Sequence, residues 1–255
     1  MQKITKKDYE ELKNKIQILS EFLNGGKGSG NWGHAGRPGK RGGSGKGSIK
    51  GIGQAASESL DKAAKEEPQV SKDLKDIFGA NKAEFAGFDF RLKGKSSLVR
   101  KIKTDASAEA SETGSKVTRE LMRKATAGIK DNLRYTALLD KNDYGTGYER
   151  IKKDLESKGY EFTKVKNTMA FPEKGNPYRG VNCQVKNKSG YTFELQFHTP
   201  QSFNIKEVKC HKDYEIARNP KYTKEKRDAA TARMFKAYED LEMPKGADKI
   251  KPFKK

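Results

Sequence analysis

The stretch 178–200, YRGVNCQVKNKSGYTFELQFHTP, limits what this chain can fold into more than any other. Two short runs with β character, Val181–Val185 and Tyr191–Phe197, flank Lys186-Asn187-Lys188-Ser189-Gly190. That is a hairpin signal, with Gly at the position expected to need a positive φ. Side chains flip sides at every strand residue, so Phe193, Leu195 and Phe197 fall on one face and Glu194, Gln196 and His198 on the other. The apolar face can pack on a core. The Glu-x-Gln-x-His comb opposite it then either faces a cleft or is an ordinary solvated face, and the alternation alone allows both.

The elements upstream suit a mixed sheet with helices. Residues 54–80 read as one or two short helices, with Ser71 an N-cap and Gly79 a stop. Phe85–Phe90 alternates apolar residues and predicts a short strand delivering Arg91 and Lys93 to one side. A helix then starts over Ser97 to Lys103 and carries Lys101. A strand, a basic turn and a helix N-terminus together suit an anion, because free N–H groups and the helix dipole favour negative charge. Residues 106–130 predict a further helix with Val117, Leu121, Met122 and Ile129 as its buried stripe. Leu133–Leu139 predicts a strand with Asp131 at its mouth. A lone Asp there can cap a turn; paired with Glu194 it would make a two-carboxylate magnesium site, since Mg²⁺ takes one or two carboxylates plus substrate phosphates. A helix over Tyr148–Lys158, ending at Gly159, and a strand over Tyr160–Val165 lead to the hairpin. After it, Ser202–Arg218 contains a helix with His211, Tyr214, Glu215 and Arg218 on one face, and residues 223–242 form another.

The two ends differ from this middle. Residues 5–24 read as an amphipathic helix with Leu12, Ile16, Leu19 and Leu23 at helical spacing. Residues 25–53 hold 13 of the chain's 25 glycines and no acid, so they predict a flexible basic tether. At its centre, GNWGHAGRPGKRGGS carries Trp32 and His34 and resembles a motif of phage head-associated proteins. Residues 243–255, with five lysines and one acid, predict a disordered basic tail. The formal net charge of +20 favours phosphate-bearing partners, whether nucleotides, RNA, DNA or an anionic surface. Two cysteines, Cys183 and Cys210, make neither a disulfide framework nor a zinc site. No apolar run approaches a membrane span, and a reducing, cytoplasmic setting is expected.

Five short motifs recur in one order: Arg91-Leu-Lys93-(x)3-Ser97-(x)3-Lys101, Asp131-(x)2-Arg134, Tyr178-Arg-Gly-Val-Asn182, Glu194-Leu-Gln196-Phe-His198-Thr199 and His211-(x)2-Tyr214-Glu215-(x)2-Arg218. Together they resemble the synthetase domain of the RelA/SpoT family, pyrophosphokinases that make the alarmone (p)ppGpp, over roughly residues 85–220. The resemblance implies that Arg91, Lys93, Ser97, Lys101 and Arg134 grip ATP. It implies that Asp131 and Glu194 hold Mg²⁺, with Glu194 also the base. Tyr178 would stack on the acceptor base, with Asn182, Gln196 and His198 around it. Three positions depart from the family's pattern: Arg134 comes two residues early and without the preceding Gly, Asn182 replaces a His, and His198 replaces an Arg.

The expected architecture is therefore α/β in the broad α+β sense: a mixed, mostly antiparallel sheet of about five strands flanked by helices. It occupies residues 54–242, with the helix 1–24 and tether 25–53 before it and the tail 243–255 after it. The resemblance implies transfer of the β,γ-diphosphate of ATP to a guanine nucleotide's 3′-hydroxyl, in a phage-linked toxin. The same chemistry on the 3′ end of tRNA or on adenine nucleotides is an alternative. A virion or nucleic-acid-binding protein with an inactive domain is another. Partners expected on these readings are ATP, a guanine nucleotide or tRNA, nucleic acid along the basic ends, and a capsid or an antitoxin or immunity protein; no membrane is expected, and the setting is cytoplasmic or virion-associated.

Overall fold

The computed structural model describes residues 49–255. The amphipathic helix expected over 5–24 and the Gly-rich motif with Trp32 and His34 lie outside the described residues. Seven α-helices occur among the described ones: α1 (Ile49–Ala80), α2 (Lys95–Glu112), α3 (Arg119–Gly128), α4 (Tyr144–Ser157), α5 (Pro200–Asn204), α6 (His211–Ala217) and α7 (Lys224–Ala237).

Helix α1 overrides two expectations. It begins inside the stretch read as tether, and it runs unbroken through Pro68 and through Ser71, which was read as an N-cap. Ile52, Ala56, Ala63, Val70, Leu74, Ile77 and Phe78 recur along it and are all buried. Burying its five larger apolar side chains is worth on the order of 10 kcal/mol. An interior proline costs roughly 3 kcal/mol, so packing wins. Ser71 caps nothing: its hydroxyl donates to Glu67 Oε1 at 2.5 Å and lies 2.7 Å from the Tyr135 hydroxyl.

Six strands form one sheet: β1 (Glu84–Phe85), β2 (Arg134–Leu138), β3 (Glu161–Asn167), β4 (Val181–Lys186), β5 (Thr192–His198) and β6 (Phe253–Lys254). Their order is β1-β2-β5-β4-β3-β6; β2 and β5 run parallel and every other neighbouring pair antiparallel. β4 and β5 make the expected hairpin, with Gly190 at φ 85° in its turn. One face of the sheet carries Tyr135, Phe162, Val165, Val181, Cys183, Val185, Phe193, Leu195 and Phe197, packed with Val70, Leu74 and Phe78 of α1 and Tyr148, Ile151 and Leu155 of α4. The Tyr148 and Phe197 rings meet edge to face at 4.9 Å.

The sixth strand comes from the tail expected to be disordered. Ala247 and Ile250 are buried, and Asn167 Nδ2 donates to both of their carbonyls at 2.8 Å. The five lysines conceal three apolar anchors, Ala247, Ile250 and Phe253. The tail turns at Gly246 (φ 77°), whose carbonyl lies so near α4 that a Cβ on Gly145 would stand 2.5 Å from it. The helix expected over 106–130 is also divided. α2 and α3 are separate and meet through Leu98, Ile102, Ala106, Met122, Ala125 and Ile129. The break falls at Gly114 (φ 62°), leaving Val117 exposed rather than buried. The helix expected within 202–218 is α6, and a π turn, Ile205–Lys209, separates it from α5. Among the described residues, no helix is long and apolar enough to cross a membrane.

Candidate active site

The second face of the sheet is built by register. β2 and β5 align Arg134 with Glu194 and Thr136 with Gln196; β4 places Gln184 beside Glu194 and Asn182 beside Gln196. The Glu-x-Gln-x-His comb therefore faces away from the core, as the alternation predicts. A second strand-like contact, Leu92 with Leu133, together with the bond from Lys93 N to Asn132 O at 2.9 Å, holds residues 91–94 beside the mouth of β2.

Four charged groups meet there. Lys93 Nζ pairs with Asp131 Oδ2, and Arg134 Nη2 donates to the same oxygen at 2.9 Å. Arg134 Nε lies 3.4 Å from Glu194 Oε2, a charge contact without hydrogen-bond geometry, and it has no hydrogen-bond partner. One guanidinium thus lies between two carboxylates supplied by segments far apart in sequence. Burial works to raise the Asp131 pKa, but Lys93, Arg134 and Lys101 outweigh it and hold the carboxyl below its usual range. Burial pushes the Lys93 ammonium down, and the positive charges of Arg134 and Lys101 add to that against Asp131.

The pair fits a hard cation. Asp131 Oδ1 is buried and has no hydrogen-bond partner, which is a costly state for a carboxylate oxygen. Among the described residues no group of three or more His, Cys, Asp or Glu could hold a metal. The two carboxylates therefore suit Mg²⁺ completed by phosphate and water oxygens rather than a cage made by the protein alone.

Beside them lies a second network. The Tyr178 hydroxyl donates to Asn182 Oδ1 at 2.6 Å and lies 2.8 Å from His198 Nε2, while His198 Nδ1 lies 2.9 Å from Ser202 Oγ. Ser202 is set by a capping box with Thr199 at the start of α5. His198, expected beside the acceptor, is fully buried between Tyr178 and Ser202. Burial and then Lys206 hold its pKa well below 6.5, keeping the ring neutral. Gln196 is buried as well and donates from Nε2 to Glu194 Oε1. Gly180 passes directly under Tyr178: a Cβ there would lie 2.5 Å from the tyrosine oxygen and 2.7 Å from His198 Cε1.

The remaining expected residues are divided. Ser97 stands in the first turn of α2, half-buried, and Lys101 one turn later, close enough to act on both Lys93 and Asp131. Arg91 goes elsewhere. The expected strand stops at Phe85, a 3-10 turn covers Phe88–Phe90, and Arg91 itself is helical (φ −61°, ψ −31°), so it parts from Lys93. Its guanidinium lies 4.1 Å over the Phe88 ring, and its Nε donates to Glu67 Oε1 at 2.5 Å. Of the last motif, Tyr214 is exposed with Arg218 over its ring, and Glu215 pairs with Arg218 and Arg100. None of these contacts reaches the carboxylates. Two residues absent from the sequence reading do approach: Lys206 and Glu207, on the π turn, pair at 2.8 Å, and Lys206 Nζ donates to Gln196 Oε1 at 3.1 Å. Nothing in the local sequence marks them, because the π turn that aims them has no periodic signature.

No protein-family model and no curated protein matches this chain. Solved structures are similar to it at low identity. The type VI effector Tas1, in complex with its immunity protein, shares 16% identity at a TM-score of 0.41, over 72% of this chain and 95% of that one. The small alarmone synthetase 1 from Bacillus subtilis, bound to its product pppGpp, shares 12% at 0.43, over 69% and 87%. A GTP pyrophosphokinase family protein from Streptococcus pneumoniae shares 11% at 0.42, over 71% and 84%. At such levels, function has to be argued from this chain's own residues.

Proposed function

We propose that the chain is a Mg²⁺-dependent pyrophosphotransferase that moves the β,γ-diphosphate of ATP to the 3′-hydroxyl of a guanine nucleotide. The observation that carries this is the meeting of Asp131 and Glu194 on one guanidinium, beside Lys93, on the side of the sheet away from its core. The order of the five motifs supports the same reading. In the reaction, the acceptor's O3′ bonds to Pβ as the bond from Pβ to the oxygen bridging it to Pα breaks, and that oxygen leaves on Pα. AMP departs, and the acceptor's hydroxyl proton passes to Glu194. Such transfer depends on charge neutralisation and alignment more than on covalent help. Mg²⁺ held by Asp131 and Glu194 would neutralise phosphate charge when bound. Lys93, Lys101 and Arg134 supply further positive charge to the phosphates, and Ser97 with the first turn of α2 adds polar donors. Arg91 joins them only by leaving Glu67. The Tyr178 ring, held by its hydroxyl, offers a flat surface on which the acceptor base stacks.

The test uses ATP labelled on its γ-phosphate, Mg²⁺ and, in separate tubes, GDP, GTP, ADP or bulk tRNA. Label should move to a guanine nucleotide as AMP appears; label on tRNA or ADP alone would keep the chemistry and replace the acceptor. Glu194→Gln keeps the shape and removes the base, so transfer should fall by about 10²–10⁴ with the fold retained. Full activity in that variant would overturn the assignment.

A further inference from the structure

Gln196 sits between Glu194 and Lys206, and each neighbour can bond only one end of its amide. A carboxylate accepts and cannot donate, so it selects Nε2; an ammonium donates and cannot accept, so it selects Oε1. Both choices occur: Gln196 Nε2 donates to Glu194 Oε1, and Lys206 Nζ donates to Gln196 Oε1 at 3.1 Å. Glu207, at 2.8 Å from Lys206, and the Phe203 ring, 5.3 Å beneath the ammonium, hold the lysine in that position. The π turn over Ile205–Lys209 provides the aim, in keeping with the frequent use of such turns at functional sites.

We propose that Lys206 is a positioning residue that fixes the Glu194 carboxylate through the Gln196 amide. The inference rests on the reading of Glu194 as the reactive carboxylate. With Oε1 tied to the amide, Glu194 keeps Oε2 on the side of Arg134 and the entering hydroxyl. Lys206 itself touches neither ATP nor acceptor.

The variants are Lys206→Met, Lys206→Arg, Gln196→Ala and the Lys206→Met/Gln196→Ala pair. Loss of a group supporting a reactive or ligating carboxylate typically lowers activity by about 10–100-fold. Lys206→Met should lower kcat by that order with KM for ATP unchanged, and Lys206→Arg should recover part of it. In the Gln196→Ala background, Lys206→Met should add no further loss, since the relay is already cut. Multiplicative losses in the double variant, or full kcat in Lys206→Met, would overturn the proposal. A second readout does not need turnover. The Gln196 side-chain amide protons, followed by ¹⁵N NMR, should exchange slowly in the native protein. They should exchange faster in Lys206→Met but not in the remote Lys224→Met. If the native protein moves no label to any acceptor, the reaction proposed above fails on its own. The amide signals then decide the relay, and unchanged signals in Lys206→Met refute it.

Discussion

Replacing Gly180 by Ala tests how tightly the site's aromatic wall is built. Gly180 does not stand at positive φ, so the substitution acts through space rather than through backbone preference. The new Cβ would lie 2.5 Å from the Tyr178 oxygen, 2.7 Å from His198 Cε1 and 2.9 Å from Tyr178 Cζ. No rotation of a flexible tip relieves all three, because the hydroxyl is held by Asn182 and His198, and His198 is held in turn by Ser202. Tyr178 must move and give up two hydrogen bonds, each worth about 1 kcal/mol net, leaving a buried imidazole nitrogen short of a partner at about 1–3 kcal/mol. The expected loss is about 3–5 kcal/mol, read as a lower midpoint of urea unfolding at unchanged slope. On the proposed stacking of the acceptor base on Tyr178, the acceptor's KM should rise as well, while KM for ATP holds. Gly190→Ala is the control: φ is 85° there with nothing within 4 Å, so it should lose about 1 kcal/mol from backbone strain and leave acceptor KM untouched. In a Tyr178→Phe background the Gly180→Ala loss should shrink, because the hydroxyl and its bonds are already gone. A Gly180→Ala protein with native stability and native acceptor KM would refute the packing argument.

Two further outcomes follow from the same geometry. His198 is buried neutral with its pKa held well below the ordinary 6.5, so the unfolded chain takes up a proton that the folded chain refuses. Its contribution is complete above about pH 6.5 and falls below it by about 1.4 kcal/mol per pH unit. His198→Gln should flatten the stability curve over that window relative to the native protein, and an equally steep curve would refute it. Deleting residues 244–255 should lower the thermal midpoint sharply or abolish folding. It removes Ala247, Ile250 and β6 and leaves the buried Asn167 amide without its two carbonyls, together on the order of 3–5 kcal/mol. A disordered tail would be lost without effect.

What the sequence made legible follows from which physical signal each feature leaves. The hairpin and the two faces of β5 were readable because a period of two and a glycine turn are local. Asp131 at the mouth of β2 was readable for the same reason. Helix α1 was readable only as one or two helices, since Ser71 looks like a cap, and the buried stripe on both sides of it keeps the helix whole. The tail misled because three apolar anchors among five lysines make no periodic pattern, although Ala247 and Ile250 are buried and Phe253 packs partly buried against the core. Arg91 and Lys93 were expected side by side on an extended run, and a single helical residue at Arg91 turns them apart.

The site itself depends on a quantity that no local pattern carries, the register between β2 and β5. Sliding β5 by two residues along β2 would keep Phe193, Leu195 and Phe197 on the core face, so the hydrophobic pattern is blind to that slip. It would nevertheless bring Thr192 or Gln196 opposite Arg134 and remove Glu194 from the guanidinium. The observed pairing is pinned at both ends, by Glu194 N donating to Leu133 O at 3.0 Å and Leu139 N donating to His198 O at 2.9 Å. Those bonds lie at the ends of the strand pair, where β2 leaves the Asp131 segment and β5 enters the Thr199 cap. The register therefore sets that Glu194 stands opposite Arg134, while the alternation within the strand sets only that some polar side chain will.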